Sequence, residues 1–226
     1  MFSNLKKRVI TSIILIVLLF ACLFYNELSW KSLLIFFSLL CLYEFYNLIH
    51  KIYKNKFFSI ILFFLATIYL IFFYYILTKI RFEFGEEIIL ILLVACIFSD
   101  IGGYVIGKSI GGPKLTRLSP NKTISGAFGS ILFTVFGTSL LILNLGKIDK
   151  NQIILEFSFK ICLWLIFMSI FCQMGDLFIS YLKRKANIKD TGNILPGHGG
   201  ILDRVDGIIF AIPFGVLIYF ILFQNL

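Results

Sequence analysis

Two carboxylates stand inside long apolar stretches of this sequence. Asp100 lies in the run IFSDIGGYVIG and Asp176 in the run FCQMGDLFISYLKR. A charged side chain at the centre of a membrane span costs about 2.5–3.5 kcal/mol on insertion scales, so an acid in such a place is a candidate for function. At about 1.5 Å of rise per residue, both are predicted to lie roughly 10 Å below the cytoplasmic end of their spans.

Two further carboxylates open the last apolar run. Asp203 and Asp206 have the i, i+3 spacing that puts both side chains on one face of a helix. Asp203 and Asp206 lie at the predicted cytoplasmic end of their span, and Asp100 and Asp176 lie near the cytoplasmic ends of theirs. We therefore expect four carboxylates to converge near the cytoplasmic leaflet.

Basic side chains and a glycine-rich turn accompany the acids. The turn, PGHGG, spans Pro196 to Gly200 just before the last predicted helix. Glycine lets the backbone approach a phosphate closely, and a helix N-terminus offers it unpaired N–H groups. Carboxylates beside an anion site favour Mg2+ bridging phosphates, with a second metal ion as an open alternative. The chemistry indicated is phosphoryl or nucleotidyl transfer at a membrane surface. The basic residues are Lys122, Lys183, Arg184, Lys189 and Arg204.

Each of these residues also has a purely structural interpretation. Asp176 can simply pair with Lys183 or Arg184, and Asp203 with Asp206 can be an ordinary solvated helix start. The GxxxG spacing of Gly103 and Gly107 favours helix packing over a phosphate loop. His198 can be structural or functional, and Glu44 in the second span is given no role.

Composition and hydropathy place these residues in a membrane protein. Of the 226 residues, 59% are hydrophobic and 15% charged, which lies outside the range of ordinary soluble domains. The net charge of +9 is read as a sign of orientation and of attraction to anionic lipids, so no nucleic-acid partner is expected. Apolar runs able to cross roughly 30 Å of hydrocarbon occur at residues 9–25, 30–50, 57–78, 87–107, 125–145, 157–182 and 205–224.

The predicted fold is therefore an all-α, polytopic transmembrane helical bundle of about seven spans. Alternate loops carry fifteen basic residues on one side and six on the other, which predicts a cytoplasmic N-terminus. We expect residues 1–85 to form N-terminal membrane spans and residues 86–226 to form a catalytic membrane domain with cytoplasmic loops.

The segment SYLKRKANIKDTGNILPGHGGILDRVD, from Ser180 to Asp206, resembles the signature of the phosphatidate cytidylyltransferase family. Two upstream pieces are also similar to that family: SD followed by GGY at 99–104, and SPNKT at 119–123. Ser125 departs from the glutamate that many members have there. The signature residues matched are Ser180, Lys183, Arg184, Lys189, Asp190, Gly192, Leu195, Pro196, His198, Gly199, Gly200, Asp203, Arg204 and Asp206.

The resemblance implies that a phosphatidate oxygen attacks the α-phosphorus of CTP, giving CDP-diacylglycerol and pyrophosphate. It makes Asp176, Asp203 and Asp206 the metal ligands and Asp100 a supporting acid. The basic side chains would neutralise phosphates, and His198 would orient a phosphate or assist the leaving group. Nucleotide contacts are expected from Ser119, Lys122, Thr123, Gly199 and Gly200.

Two other functions stay open at this point. A CTP-dependent lipid or polyprenol kinase would transfer the γ-phosphate to a hydroxyl instead. An ion-coupled transporter would use Asp100 and Asp176 along a pathway. The expected partners are CTP, phosphatidate, membrane lipids and a second copy of the chain, in a bacterial inner membrane.

Overall fold

The computed structural model describes residues 2–116, 119, 122–145, 148–150 and 153–223. Seven α-helices within these residues are long and apolar enough to cross a membrane, which confirms the predicted all-α fold of about seven spans. The chain is thus an integral membrane protein. The helices are α1 (Phe2–Tyr25), α2 (Glu27–Ile52), α3 (Lys56–Phe84), α4 (Glu86–Ile110), α5 (Ile124–Leu145), α6 (Phe159–Lys185) and α7 (Leu202–Phe223).

Several helices extend beyond the apolar runs that predicted them, and α3 is an example. Helix α3 continues past residue 78 to Phe84, where Gly85 takes a positive φ of 90° and its N–H donates to the Arg81 carbonyl. Arg81 also forms an ion pair of 2.9 Å with Glu86, at the start of α4. Hydropathy underestimates helix length here because polar residues at a membrane boundary continue the helix.

A short antiparallel pair of strands stands between α5 and α6. Strand β1 (Ile148–Lys150) pairs with β2 (Ile153–Leu155), and Ile148 lies opposite Leu155. The sequence analysis did not predict these strands, because three residues are too few to show the alternating pattern of a strand.

The chain divides into two compact units. The first comprises the described residues up to Thr78 together with Leu182–Val205, and the second comprises Lys79–Tyr181 together with the described residues from Asp206 onward. The functional division expected between residues 85 and 86 stays a prediction.

In the first unit, helix α2 begins at a capping box. Asn26 accepts a hydrogen bond of 2.7 Å from the Ser29 N–H, and the Ser29 hydroxyl accepts one of 3.3 Å from the Asn26 N–H. The helix buries an apolar face that includes Trp30, Leu33 and Leu48. Glu44 lies on the same buried face, so this helix carries a carboxylate into the interior of the unit.

In the second unit, glycines bring α4 and α5 into backbone contact. A Cβ atom on Gly126 would lie 2.8 Å from the Gly103 carbonyl oxygen, and one on Gly129 would lie 2.7 Å from the Gly102 carbonyl oxygen. Gly107 also packs against Gly126. Small residues let two membrane helices approach this closely, and the packing interpretation of Gly103 and Gly107 is confirmed.

Candidate active site

A cavity of about 230 Å³ lies within the second unit, among α4, α5, α6 and the loop that precedes α5. Polar side chains on three helices face an otherwise apolar lining. Such a cavity suits a small polar group bound next to a membrane. The lining residues are Ser99, Asp100, Gly103, Tyr104, Leu115, Lys122, Thr123, Gly126, Ala127, Ser130, Gln173 and Asp176.

The loop before α5 places a lysine in this cavity. The Leu115 N–H donates to the Lys122 carbonyl at 2.8 Å, and the Ile124 N–H donates to the Pro113 carbonyl at 3.0 Å. These bonds fold the loop back on itself. Lys122 Nζ consequently lies 2.9 Å from Asp176 Oδ2 on α6, with 30% of the lysine side chain and 22% of the aspartate side chain exposed. The acid pairs with Lys122 here, whereas the structural interpretation had proposed Lys183 or Arg184.

A second carboxylate, that of Asp100 on α4, lines the same cavity. Its Oδ1 lies 4.0 Å from the Cys172 thiol. A Cβ atom on Gly207 would lie 2.6 Å from the Cys172 sulfur and 3.1 Å from Asp176 Oδ1, so both side chains lie close to the Gly207 backbone. Two carboxylates and one ammonium group leave the cavity lining with a net negative charge.

The donor set of the cavity fits a hard cation. Carboxylate, hydroxyl and amide oxygens line it, and Mg2+ prefers oxygen ligands. In the described part of the chain, no group of three or more His, Cys, Asp or Glu side chains is arranged to hold a metal ion. Mg2+ is commonly held by one or two carboxylates together with substrate phosphates, and Asp100 and Asp176 are the two carboxylates among the described residues that line this cavity.

The predicted nucleotide contacts near α5 are only partly within the described residues. The Thr123 hydroxyl accepts the Gly126 N–H at 3.1 Å and thereby caps the helix, while it also lines the cavity. The Ser119 carbonyl accepts the Lys122 N–H at 3.1 Å. The Ser125 hydroxyl donates to the Gly111 carbonyl, so this position closes the loop. Residues 120 and 121 of the SPNKT run lie outside the described residues.

In the first unit, four donor groups lie within hydrogen-bond distance of Asp203. Lys183 Nζ lies 2.6 Å from Oδ1, and Oδ2 accepts the Thr191 N–H at 2.7 Å, the Thr191 hydroxyl at 3.0 Å and the Gly200 N–H at 3.2 Å. Only 5% of the side chain is exposed. These donors fill the roughly four acceptor positions of a carboxylate, so Asp203 organises the segment between α6 and α7.

Glu44 was missed by the sequence analysis and is the most buried acid of the first unit. Its side chain accepts the N–H groups of Ile201 and Leu202 and the Thr191 hydroxyl, and 1% of the residue is exposed. The rule that singled out Asp100 and Asp176, an acid inside an apolar run, applies equally to Glu44.

The PGHGG turn is held by hydrogen bonds within the chain. Gly197 and Gly199 have φ of 79° and 90°, which favours glycine at both positions. The N–H groups of His198 and Gly199 donate to the Leu195 carbonyl at 3.0 and 3.2 Å. The N–H groups from His198 to Leu202 all have acceptors here, so phosphate binding by Gly199 and Gly200 stays a prediction.

Helix α1 contacts this turn. Arg8 Nε donates to the Gly197 carbonyl at 2.7 Å, and the hydroxyls of Thr11 and Ser12 lie 2.8 and 3.3 Å from the two ring nitrogens of His198. Partial burial of the ring, together with the nearby guanidinium groups of Arg204 and Arg8, lowers the pKa of His198 below its ordinary value. The lowered pKa favours the neutral imidazole over the charged one.

The remaining predicted residues lie at the ends of α6 and α7. Arg184 and Arg204 are exposed, and Arg204 donates to the His198 carbonyl at 2.7 Å. The backbone of Asp206 packs against Gly175 in the second unit, next in sequence to Asp176. Asp203 belongs to the first unit, so the convergence of four carboxylates stays a prediction.

A model of the cytidylyltransferase family matches residues 51–222. Several curated bacterial proteins are similar to this chain, each named phosphatidate cytidylyltransferase. The protein of Helicobacter pylori strain J99 is 44% identical over 142 residues, which are 62% of this chain and 50% of that protein. The protein of Bacillus subtilis strain 168 is 39% identical over 161 residues, which are 70% and 56% of the two chains.

A third relative, from Rickettsia bellii, is 44% identical over 129 residues, which are 55% of this chain and 54% of that protein. The chain thus spans about half the length of the curated relatives it matches. Arg8, Thr11 and Glu44 lie outside the residues that the family model covers.

Proposed function

The chain belongs to the cytidylyltransferase family, and we propose that it transfers the cytidylyl group of CTP to phosphatidate, which gives CDP-diacylglycerol and pyrophosphate. Relatives named phosphatidate cytidylyltransferase at 39–44% identity support this substrate pair. The signature segment between Ser180 and Asp206 supports it independently of the cavity.

The observation that carries the proposal is the juxtaposition of Lys122, Asp176 and Asp100 at one cavity inside a membrane unit. The Lys122 ammonium group can donate a hydrogen bond to a phosphate oxygen. The two carboxylates beside it offer oxygen ligands to a cation. Phosphoryl-type transfers need little covalent chemistry from the protein, and catalysis rests on positioning and on electrostatic stabilisation.

The reaction exchanges one phosphorus–oxygen bond for another. A non-bridging phosphate oxygen of phosphatidate attacks the α-phosphorus of CTP, and a new P–O–P bond forms. The bond between the α-phosphorus and the oxygen that bridges to the β-phosphorus breaks, and pyrophosphate leaves with that electron pair. Lys122 is positioned by Asp176 to donate to a phosphate oxygen and to balance its growing charge.

Mg2+ is part of the proposal, with Asp100 and Asp176 as the residues that would hold it and Asp206 as a further ligand. When bound, the ion would neutralise phosphate charge and make the α-phosphorus more electrophilic. Lys183 Nζ lies 2.6 Å from Oδ1 of Asp203, the third predicted ligand, so metal ligation by this oxygen requires Lys183 to move away.

The roles of the signature residues follow from the family resemblance. Lys183, Arg184 and Arg204 are proposed to neutralise substrate phosphates, and His198 to orient one of them. Ser119 and Thr123 are proposed to contact the nucleotide from the loop before α5, and Gly199 and Gly200 from the PGHGG turn.

The proposed setting is the cytoplasmic leaflet of a bacterial inner membrane. CTP is water-soluble and phosphatidate is a lipid, so the enzyme must meet one substrate from each phase. The excess of basic residues on one side of the membrane favours anionic lipids there. A homodimer is part of the proposal and is testable by mass measurement of the protein in detergent.

The deciding experiment uses the purified full-length protein in detergent with phosphatidate, Mg2+ and CTP labelled on either the α- or the γ-phosphate. We expect the α-label to enter the lipid and pyrophosphate to appear. A parallel reaction with diacylglycerol or a polyprenol, which carry the hydroxyl that phosphatidate lacks, tests the kinase alternative: entry of the γ-label with release of CDP would identify a kinase instead. Absence of both labels from the lipid would exclude either transfer reaction with phosphatidate.

A further inference from the structure

Glu44 binds three donors from a segment far away in the sequence. Its Oε1 accepts the Ile201 N–H at 3.0 Å, and its Oε2 accepts the Leu202 N–H and the Thr191 hydroxyl, both at 2.9 Å. All of these residues belong to the first unit. Burying a carboxylate costs free energy unless it is hydrogen-bonded, and these three donors offset that cost for Glu44.

Two of those donors belong to the start of helix α7. The first N–H groups of a helix have no intrahelical acceptor, and a side chain at the N-cap position normally supplies one. Here Ile201 occupies that position just before Leu202 and has no acceptor in its side chain. Glu44 of α2 therefore caps α7 from another helix, and its negative charge lies at the positive end of the helix dipole.

Two signature glycines make room for this carboxylate. A Cβ atom on Gly192 would lie 2.5 Å from Glu44 Oε1, and one on Gly200 would collide with Glu44 Oε2 and with the Thr191 hydroxyl. Neither glycine has a positive φ, so backbone freedom does not explain them. The signature segment is shaped around a side chain that lies outside the residues matched by the family model.

Thr191 connects Glu44 to Asp203. Its hydroxyl lies 2.9 Å from Glu44 Oε2 and 3.0 Å from Asp203 Oδ2, and its single proton is donated to one of them at a time. The Gly200 N–H donates to Asp203, while the next two N–H groups donate to Glu44. The two carboxylates thus divide the donors at the start of α7 between them.

We propose that Glu44 is a positioning residue for cytidylyl transfer: it fixes the start of α7 and, through Thr191, the orientation of Asp203. This role rests on the proposed function for its effect on turnover. Its structural part, the cap on α7, is independent of any activity and has a measurement of its own.

The structural part is tested by hydrogen–deuterium exchange on the full-length protein in detergent. Glu44→Gln replaces one oxygen with an amide NH2 group, which cannot accept the N–H it would face. We expect faster exchange at whichever of Ile201 and Leu202 faces the NH2 group in this variant, and unchanged exchange in α4 and α5. The matched control is Glu27→Gln on the same helix, since 39% of the Glu27 side chain is exposed and it forms an ion pair with nearby Lys31.

The functional part is tested by comparing Glu44→Gln with Glu44→Asp in the α-label assay. Glu44→Gln should lower kcat about 10–100-fold, which is the loss typical when a residue that orients a metal-ligating side chain is replaced. Glu44→Asp keeps both oxygens and the charge but is shorter, and it should retain more activity than Glu44→Gln. A packing role predicts the opposite order, because glutamine is closer to glutamate in size.

The last part of the test measures whether Glu44 and Thr191 act together on turnover. If Glu44 acts through Thr191, the losses in Glu44→Gln and Thr191→Val should not multiply in the double variant. Multiplying losses, or a glutamine variant more active than the aspartate variant, would overturn the positioning role. Unchanged exchange at Ile201 and Leu202 would overturn the cap itself, whether or not the wild-type protein transfers the label.

Discussion

Lys122 Nζ lies 2.9 Å from Asp176 Oδ2, although the two residues are 54 positions apart in the chain. The loop before α5 carries the lysine and α6 carries the acid, so this ion pair joins two elements of the second unit across its cavity. Both side chains are partly exposed, which leaves them accessible to a substrate that enters the cavity. This arrangement supports the proposal that Lys122 binds a substrate phosphate and is oriented by Asp176 before the substrate arrives.

Replacing Lys122 with Met should lower turnover by at least about a hundredfold, because a donor aimed at developing phosphate charge is lost. The measurement is incorporation of α-label from CTP into lipid. Lys79→Met is the matched control: its ammonium pairs with Glu83 at 3.9 Å and is 48% exposed. Activity of Lys122→Met within twofold of wild type would remove this lysine from the mechanism.

The helices were predictable from the sequence, and part of the site was not. Each candidate span in the described residues coincides with an apolar run of the sequence, because a membrane span requires about 20 consecutive apolar residues whatever it packs against. The Glu44–Thr191 contact joins residues 147 positions apart, and no local spacing reports such a contact. The acids at Asp100 and Asp176 were found because charge inside an apolar run is unusual, but their pairing depends on how the loop before α5 folds.

The backbone contact between α4 and α5 predicts a sharp effect of side-chain size. Gly129→Val should destabilise the protein by about 1–3 kcal/mol, since the added atoms meet the Gly102 carbonyl and the Ile106 side chain. At about 2–4 °C per kcal/mol, the unfolding midpoint in detergent should fall by several degrees. Leu132→Ala on the same helix, where the leucine is 65% exposed, is the control and should change the midpoint little.

Acidification should destabilise the contact between α1 and the PGHGG turn. Burial and the charges of Arg204 and Arg8 lower the pKa of His198, so the folded protein binds a proton here less readily than the unfolded chain does. The unfolded imidazole titrates near about 6.5. The stability that this group contributes is therefore complete above that pH and is lost as pH falls through the lowered folded value.

The measurement for His198 is the unfolding midpoint of wild type and His198→Gln at pH values from neutral to mildly acidic. Wild type should lose stability relative to the variant as the pH falls. Parallel curves for the two proteins would show that protonation of His198 is not linked to folding, and that its contacts with Thr11 and Ser12 tolerate the charged ring.

Asp203→Asn should abolish turnover while the protein still inserts into the membrane. Asparagine has one acceptor oxygen, and its NH2 group must face either the Lys183 ammonium or the N–H groups of Thr191 and Gly200. Either orientation sets donor against donor in a site where the aspartate side chain is 5% exposed. The start of α7 and the basic charge of Lys183 are then no longer held in place.

Membrane fractionation and the α-label assay together test this substitution, with Glu27→Gln as the control that should behave as wild type. Retained activity in Asp203→Asn would refute both a metal-binding role and an organising role for this carboxylate. If activity is lost, Asp203 can act through its N–H donors or through its ion pair with Lys183, and Lys183→Met separates these two contributions. If Asp203 acts mainly by organising the segment through its N–H donors, those bonds survive in Lys183→Met and turnover should fall less than in Asp203→Asn. If the ion pair itself is required, the two variants should lose activity equally.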